Sequence, residues 1–185
     1  MNAAERSEQA DQTKSSELVS SVEHISPDTL DLVARDLKMD PLYVEKVRRE
    51  IQANKLIFIA AKNDAAYIAS VGLCIGEADE DYFRTHLPGY AIVYSLIVNE
   101  SNRRQGVATN LMDVVESEAR HVGKAGVALG VVPDNESARR LYEKRGYTYV
   151  EPDEVANVES HWDITDESGL PQHVAVDLIP MAKEL

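Results

Sequence analysis

The apolar residues change period several times along the chain, and each change marks an element. Residues 18–25 have the length and β-branching of a first strand. Ser26-Pro27-Asp28 then reads as a helix start, with a hydroxyl cap, proline at the first helical position and an acid in the first turn. Leu30, Val33, Ala34 and Leu37 follow at helical spacing. Asp40-Pro41 repeats the start signal ahead of Val44, Val47 and Ile51. Residues 56–61 and 67–76 alternate as two strands joined at Asn63-Asp64, and the acidic stretch 77–81 reads as a solvated loop. Residues 91–98 are apolar almost throughout, as in a strand covered on both faces.

From Val107 the period becomes helical, with Val107, Leu111, Val115 and Ala119 on one stripe that ends near Gly123. A buried strand follows over 126–132, stopped by Pro133, and then a short helix over 135–145 closed by Gly146. Residues 147–150 resume extended structure, and 157–165 with 172–181 form a hairpin about the turn-rich 166–169. This order predicts one mixed α/β (α+β) domain around a central sheet, spanning residues 17–185. Residues 1–16 contain no Leu, Ile, Val or aromatic and read as a disordered arm.

Composition narrows the class. The 185 residues suit one well-buried domain, no apolar run approaches the ~20 residues of a membrane span, and the start lacks a secretory apolar core. A cytoplasmic protein is the expectation, without a membrane partner. The net charge of −13 argues against nucleic acid. That charge is uneven: residues 103–145 balance at +2 and the rest of the chain at −15. An anionic ligand fits the first region and a cationic one the second.

Two segments carry candidate chemistry. Arg103-Arg104-Gln105-Gly106-Val107-Ala108-Thr109 lies between a buried strand and a helix. Gly106 permits a tight turn, the N–H groups of the first helical turn point outward, and the arginines add positive charge, which together make a pyrophosphate cradle. It lacks the Lys-Ser/Thr of a P-loop and the three glycines of a dinucleotide fingerprint. About thirty residues on, Asn135 suits a helix cap and Tyr142 follows two turns along the same side.

Together, Arg-x-x-Gly-x-Ala and Asn-x-x-Ala-x-x-x-Tyr-x-x-x-Gly-Tyr resemble the GNAT N-acetyltransferase superfamily, with the clearest match over residues 91–147. The resemblance implies a mixed central sheet of about six to seven strands flanked by about four helices. It implies acetyl-CoA as acyl donor and no metal, with Arg103, Arg104, Gln105, Gly106, Val107, Ala108 and Thr109 at the pyrophosphate. Leu96, Ile97 and Val98 would pair their backbone with the pantetheine arm, Asn135 would contact that arm, and Tyr142 would protonate the leaving thiolate. Ala108 stands where a second glycine is common, a substitution the family pattern allows. As in many relatives, the final strand offers an edge for a homodimer.

The acceptor implied is a small-molecule or peptide amine attacked directly in a ternary complex. The general base is unassigned. Relatives often place a carboxylate on the strand before either signature segment, but here those positions read Tyr94-Ser95-Leu96 and Leu129-Gly130-Val131. Tyr94 acting through water is one candidate, and Glu159 with His161 on the tail hairpin are others. Cys74, the only cysteine, lies in an apolar strand and reads as a buried thiol, and the five histidines show no close pair at metal-ligand spacing. A non-catalytic acyl-CoA sensor is the competing reading, distinguished by CoA binding without turnover.

Overall fold

The computed structural model describes residues 18–150 and 158–185. The expected N-terminal arm and residue 157 lie outside them. In chain order the elements are β1 (Ser21–His24), α1 (Leu30–Leu37), α2 (Pro41–Gln52), β2 (Leu56–Lys62), β3 (Tyr67–Cys74), α3 (Asp81–His86), β4 (Tyr90–Val98), α4 (Val107–His121), β5 (Gly126–Val131), α5 (Glu136–Lys144), β6 (Thr148–Tyr149), β7 (Val158–Thr165) and β8 (Pro171–Glu184). A single 3-10 turn, Glu100–Asn102, follows β4. The described residues thus hold eight strands and five α-helices. They add α3 to the expected elements, and the two-residue β6 falls within the extended stretch expected over 147–150.

The sheet runs β1-β2-β3-β4-β5-β8-β6, with β7 on β8. Every pairing is antiparallel except β4 with β5. Helices α1, α2 and α3 cover one face, through Leu30, Val33, Val44, Val47 and Phe83 against Phe58, Ile92 and Ala128. Helices α4 and α5 cover the other, where Val107, Leu111, Val115 and Ala119 pack with Val71, Val93, Leu129 and Tyr142. The stripe read from the sequence is therefore the buried face of α4. Each such aliphatic side chain is worth about 1.5–3 kcal/mol of burial.

Helix ends follow local chemistry, with one shift. Asp40 caps α2, its carboxylate accepting from the N–H of Leu42 at 2.8 Å. In α1 the regular helix begins later than Ser26-Pro27-Asp28 suggests. The Ser26 carbonyl accepts from Thr29 and Leu30, and this turn precedes the first α-helical residue.

Strand β8 pairs with β7, β5 and β6. Its first half pairs with β7, from Thr165↔Pro171 to Val158↔Leu178, and its second half with β5, from Val131↔Ile179 to Gly126↔Glu184. Gly130 allows the changeover. A Cβ there would lie 2.6 Å from Leu178 Cδ1 and 2.9 Å from its Cβ, closer than packing allows.

Helices α4 and α5 are tied by buried charge. Glu116 on α4, only 5% exposed, accepts from Arg145 Nε at 3.1 Å and Nη2 at 3.0 Å, and from Lys183 Nζ of β8 at 2.7 Å. Arg145 also donates to Asp113 and to the Thr109 carbonyl in the first turn of α4. Glu116→Ala strands two cations around a buried site and is expected to destabilise by about 3–5 kcal/mol, read from urea unfolding.

Asp40 supplies a pH test. Its other oxygen accepts from the Thr165 N–H at 2.8 Å, so it also pins β7 to α2. Burial pushes its carboxyl up, but the N–H groups of Thr165 and Leu42 outweigh this and hold it below its ordinary value. With the folded value depressed, this stabilisation is present above the unfolded value of ~3.9 and lost as pH falls through the folded one. Asp40→Ala is expected to cost about 1 kcal/mol at neutral pH. The difference from wild type in unfolding free energy should shrink below about pH 4.

Candidate active site

β4 and β5 run side by side only from Tyr90↔Gly126 to Val93↔Leu129, and beyond that they part. The cause is a bulge in β4. Across the β3–β4 ladder, Gly72 faces Tyr94 and Ser70 faces Ile97, so β4 carries one residue more than β3 in this interval. Ser95 takes the strain at φ 52° and is exposed. The bulge also reverses which face each residue meets. Ala91 and Val93 lie on the α4 side before it, and Leu96 and Val98 pack to that same side after it. The expectation of a strand buried on both faces therefore holds only for the first half of β4.

Past the bulge, Ile97 turns its backbone to Ser70 of β3, and the Asn99 N–H donates to the Ile68 carbonyl at 2.9 Å. Alternation aims the backbone of Leu96 and Val98 the other way, into the parting. The Val98 carbonyl there accepts from Arg103 Nε at 3.1 Å. So of the three strand residues expected at a donor arm, Leu96 and Val98 present backbone groups to the cleft and Ile97 does not.

The cleft leads to the start of α4. Gly106 stands before its first residue at φ 80°, a backbone that favours glycine, and Arg104 takes φ 59°. No side chain caps this helix, so the N–H groups of Val107, Ala108 and Thr109 are left for a ligand. Gln105 donates to the Ser101 carbonyl at 2.8 Å and shapes the turn. Arg103 is turned back onto Val98 and Glu100, leaving Arg104 as the arginine beside the turn with no such contact among the described residues.

On the α4 face, Tyr142 projects from α5 into the cluster that holds Val93 and Val131, where Leu96 and Val98 also pack. Burial alone pushes its phenol up to about 12, so it stays protonated at neutral pH. Its ring lies 5.8 Å from that of Tyr147. Asn135 caps α5, its side-chain oxygen accepting from the Ala138 N–H at 3.2 Å and from the Ser137 hydroxyl at 3.0 Å. These residues fit an extended anionic thioester: two open strand edges for the arm, an uncapped helix start for phosphates, and a phenol beside the path.

The opposite face holds what the sequence did not reveal. In the acidic stretch 77–81, Glu77, Asp79 and Asp81 are exposed as a solvated loop would be, but Ala78 and Glu80 are buried. Glu80 is 8% exposed, accepting from Tyr94 Oη at 2.8 Å and from Ser160 Oγ of β7 at 2.7 Å. Asp81 opens α3, whose Phe83 is buried. Burial, and then the charge of Glu80, push the Tyr94 phenol well above its ordinary value. Lys46 of α2 pairs with Asp79 and lies 5.8 Å from the centre of the Tyr94 ring. Burial raises Glu50 of the same helix above the usual carboxylate range.

Glu159 and His161 are not part of this arrangement. They bond each other on the outer face of β7, while Ser160 between them faces inward. Across the hairpin His161 stacks on His173, ring centres 5.3 Å apart, so a close histidine pair forms that linear spacing does not show. Among the described residues no group of three or more metal-ligating side chains assembles. Cys74 is buried, and its thiol is raised by that burial. A pocket beneath α3 lies at the Tyr90 end of β4, away from the parting, and is not the donor cleft. No described helix is long and apolar enough to cross a membrane.

The model of the acetyltransferase (GNAT) family matches residues 23–147, more than half of the chain. The chain belongs to the GNAT family. Solved structures with this fold include an IAA acetyltransferase from Bacillus cereus, 17% identical, covering 89% of this chain and 99% of that one at a TM-score of 0.61. The ribosomal-protein-S18-alanine N-acetyltransferase of Escherichia coli is 16% identical, with coverage of 89% and 92% and a TM-score of 0.60. A putative acetyltransferase from Salmonella typhimurium, solved with its cofactor acetyl-CoA, is 14% identical, with coverage of 89% and 93% and a TM-score of 0.60. No curated protein sequence matches the chain. In this GNAT protein the parted strands and the uncapped α4 occupy the matched region, whereas Ser160 and the hairpin lie beyond it.

The buried carboxylate of Glu80 gives a direct test of how this face is held. Ser160→Ala removes one of the two side-chain hydroxyls bonded to Glu80 and is expected to destabilise the fold by about 1–3 kcal/mol in denaturant unfolding.

Proposed function

We propose that this protein is an N-acetyltransferase that moves an acetyl group from acetyl-CoA to a primary amine by direct attack in a ternary complex. The observation that carries the reading is the parting of β4 and β5, with an uncapped helix start at one end and the Tyr142 phenol beside it.

Bound acetyl-CoA would supply the thioester carbonyl that the amine attacks and the sulfur that leaves. The Val107, Ala108 and Thr109 N–H groups hold the pyrophosphate, with Arg104 adding charge and Gly106 letting the backbone come close. Leu96 and Val98 bond the pantetheine arm as a neighbouring strand would, and Asn135 borders it. The Val98 N–H faces the cleft and donates to negative charge developing on the carbonyl oxygen. Tyr142 gives its proton to the sulfur, a role suited to a phenol held neutral by burial. A thioacyl enzyme on Cys74 is disfavoured by its buried, raised thiol.

The acceptor is a cationic amine of small-molecule or peptide origin. Support comes from Glu50, Asp79 and Glu80 on the α2–α3 face, where Lys46 is already engaged by Asp79, and Arg84 by Asp81 and the Asp79 carbonyl. The Escherichia coli neighbour is an alanine N-acetyltransferase, which agrees with the nitrogen acceptor.

Calorimetry and steady-state kinetics with acetyl-CoA and an amine panel test this. Gly106→Val should weaken acetyl-CoA binding at least tenfold while circular dichroism stays unchanged. Tyr142→Phe should lower kcat at least tenfold and change acetyl-CoA affinity less than threefold. Tight binding with no thiol release across the panel would instead mark an acyl-CoA sensor.

A further inference from the structure

The reaction proposed above leaves one proton without a destination, because neither β4 nor β5 carries a carboxylate near the parting. Tyr94 stands at the last residue of β4 before the bulge, on the face of α2 and α3. Its hydroxyl is oriented by two bonds: it donates to Glu80 Oε2 at 2.8 Å and accepts from the Asp79 N–H at 3.3 Å. A phenol oxygen in that position keeps a lone pair for a further donor. Glu80 is fixed from the other side by Ser160 at 2.7 Å.

We infer that Glu80, reached through the Tyr94 hydroxyl, is the proton sink for the incoming amine. Glu80 is thus a positioning and proton-accepting residue that acts through Tyr94, and Tyr94 is the group that touches the amine. This rests on the acetyl-transfer reading and adds to it a base drawn from the β3–α3 connection.

The protons balance as follows. An ammonium acceptor sheds two protons as its nitrogen forms the N–C bond and the C–S bond breaks. One passes to Tyr94 Oη while the phenol's own proton moves to Glu80 Oε2, leaving Tyr94 neutral throughout. The other replaces the proton that Tyr142 gives to the departing sulfur. Glu80 then releases its proton to solvent, so one thiol, one amide and one free proton result.

The ring of charge around the pair is mixed. Lys46 and Glu50 face it from α2, Cys74 from β3, and Asp79 from the adjoining residue, while Arg84 of α3 donates to the Asp79 carbonyl at 2.7 Å. β7 contributes the neutral Ser160.

The test is the pH dependence of kcat/KM for wild type, Glu80→Gln and Tyr94→Phe, with acetyl-CoA and a panel of a polyamine, an aminoglycoside and a short peptide. A lysine-like primary amine has an ordinary pKa of ~10.4 and a peptide α-amine one of ~7.7–8.0, so at pH 7 most of either arrives charged and must be deprotonated on the enzyme. Both variants should fall about a hundredfold at pH 7 and recover to within about fivefold at pH 10, where a substantial share of the amine arrives neutral. Acetyl-CoA affinity by calorimetry should stay within threefold in both, which separates the effect from loss of fold. A deficit of equal size at every pH, or a variant that matches wild type at pH 7, overturns the relay and leaves acetyl transfer standing. A wild type that binds acetyl-CoA but acetylates nothing in the panel overturns acetyl transfer itself, and the relay with it.

Discussion

The architecture turns on a hydrogen-bonding constraint: β4 and β5 each have one edge satisfied and one edge left open. β3 serves β4 from Ile92 to Val98, and β8 serves β5 as far as Val131. Past Val93 and Leu129 the two remaining edges no longer pair with each other. Backbone groups in a half-apolar cleft are costly unless water or a ligand meets them. An extended chain bearing amides meets both. The cleft is thus specified less by side chains than by where pairing stops, which is consistent with a shared fold at 13–18% identity.

An open sheet must be held open, and the charge cluster around Glu116 supplies the brace. It joins the first turn of α4, the end of α5 and the far end of β8 through three residues. Arg145 reaches the Thr109 carbonyl, so the orientation of the first turn of α4 is set from below. The α2–α3 face has a separate brace in Asp40, Glu80 and Ser160, which pin the hairpin to α2, to the β3–α3 connection and to β4. The two faces are therefore ordered by different contacts.

Much of this was legible in the sequence because it is local. The α4 stripe, the caps at Asp40 and Asn135, and the turn at Gly106 each depend on residues a few positions apart. Three features were not. Glu80 sits among acids that read as solvent-exposed, and its burial depends on Tyr94 and Ser160, which are 14 and 80 residues away. Helix α3 is six residues long, too short for a period to show. The bulge carries no glycine: Ser95 adopts a left-handed backbone that sequence rules assign to Gly, Asn or Asp. The change of partner along β8 also escapes notice, since a long alternating strand reads the same whichever neighbours it finds.

The bulge at Ser95 behaves like a reading frame. One residue placed there shifts the phase of everything downstream in β4, returning Leu96 and Val98 to the face that Ala91 and Val93 began on. Deleting or adding a single residue between Tyr94 and Leu96 would exchange the two faces of the strand's second half, while a conservative substitution would leave the phase intact. Descent with change can therefore rewrite the letters of this segment far more readily than its length.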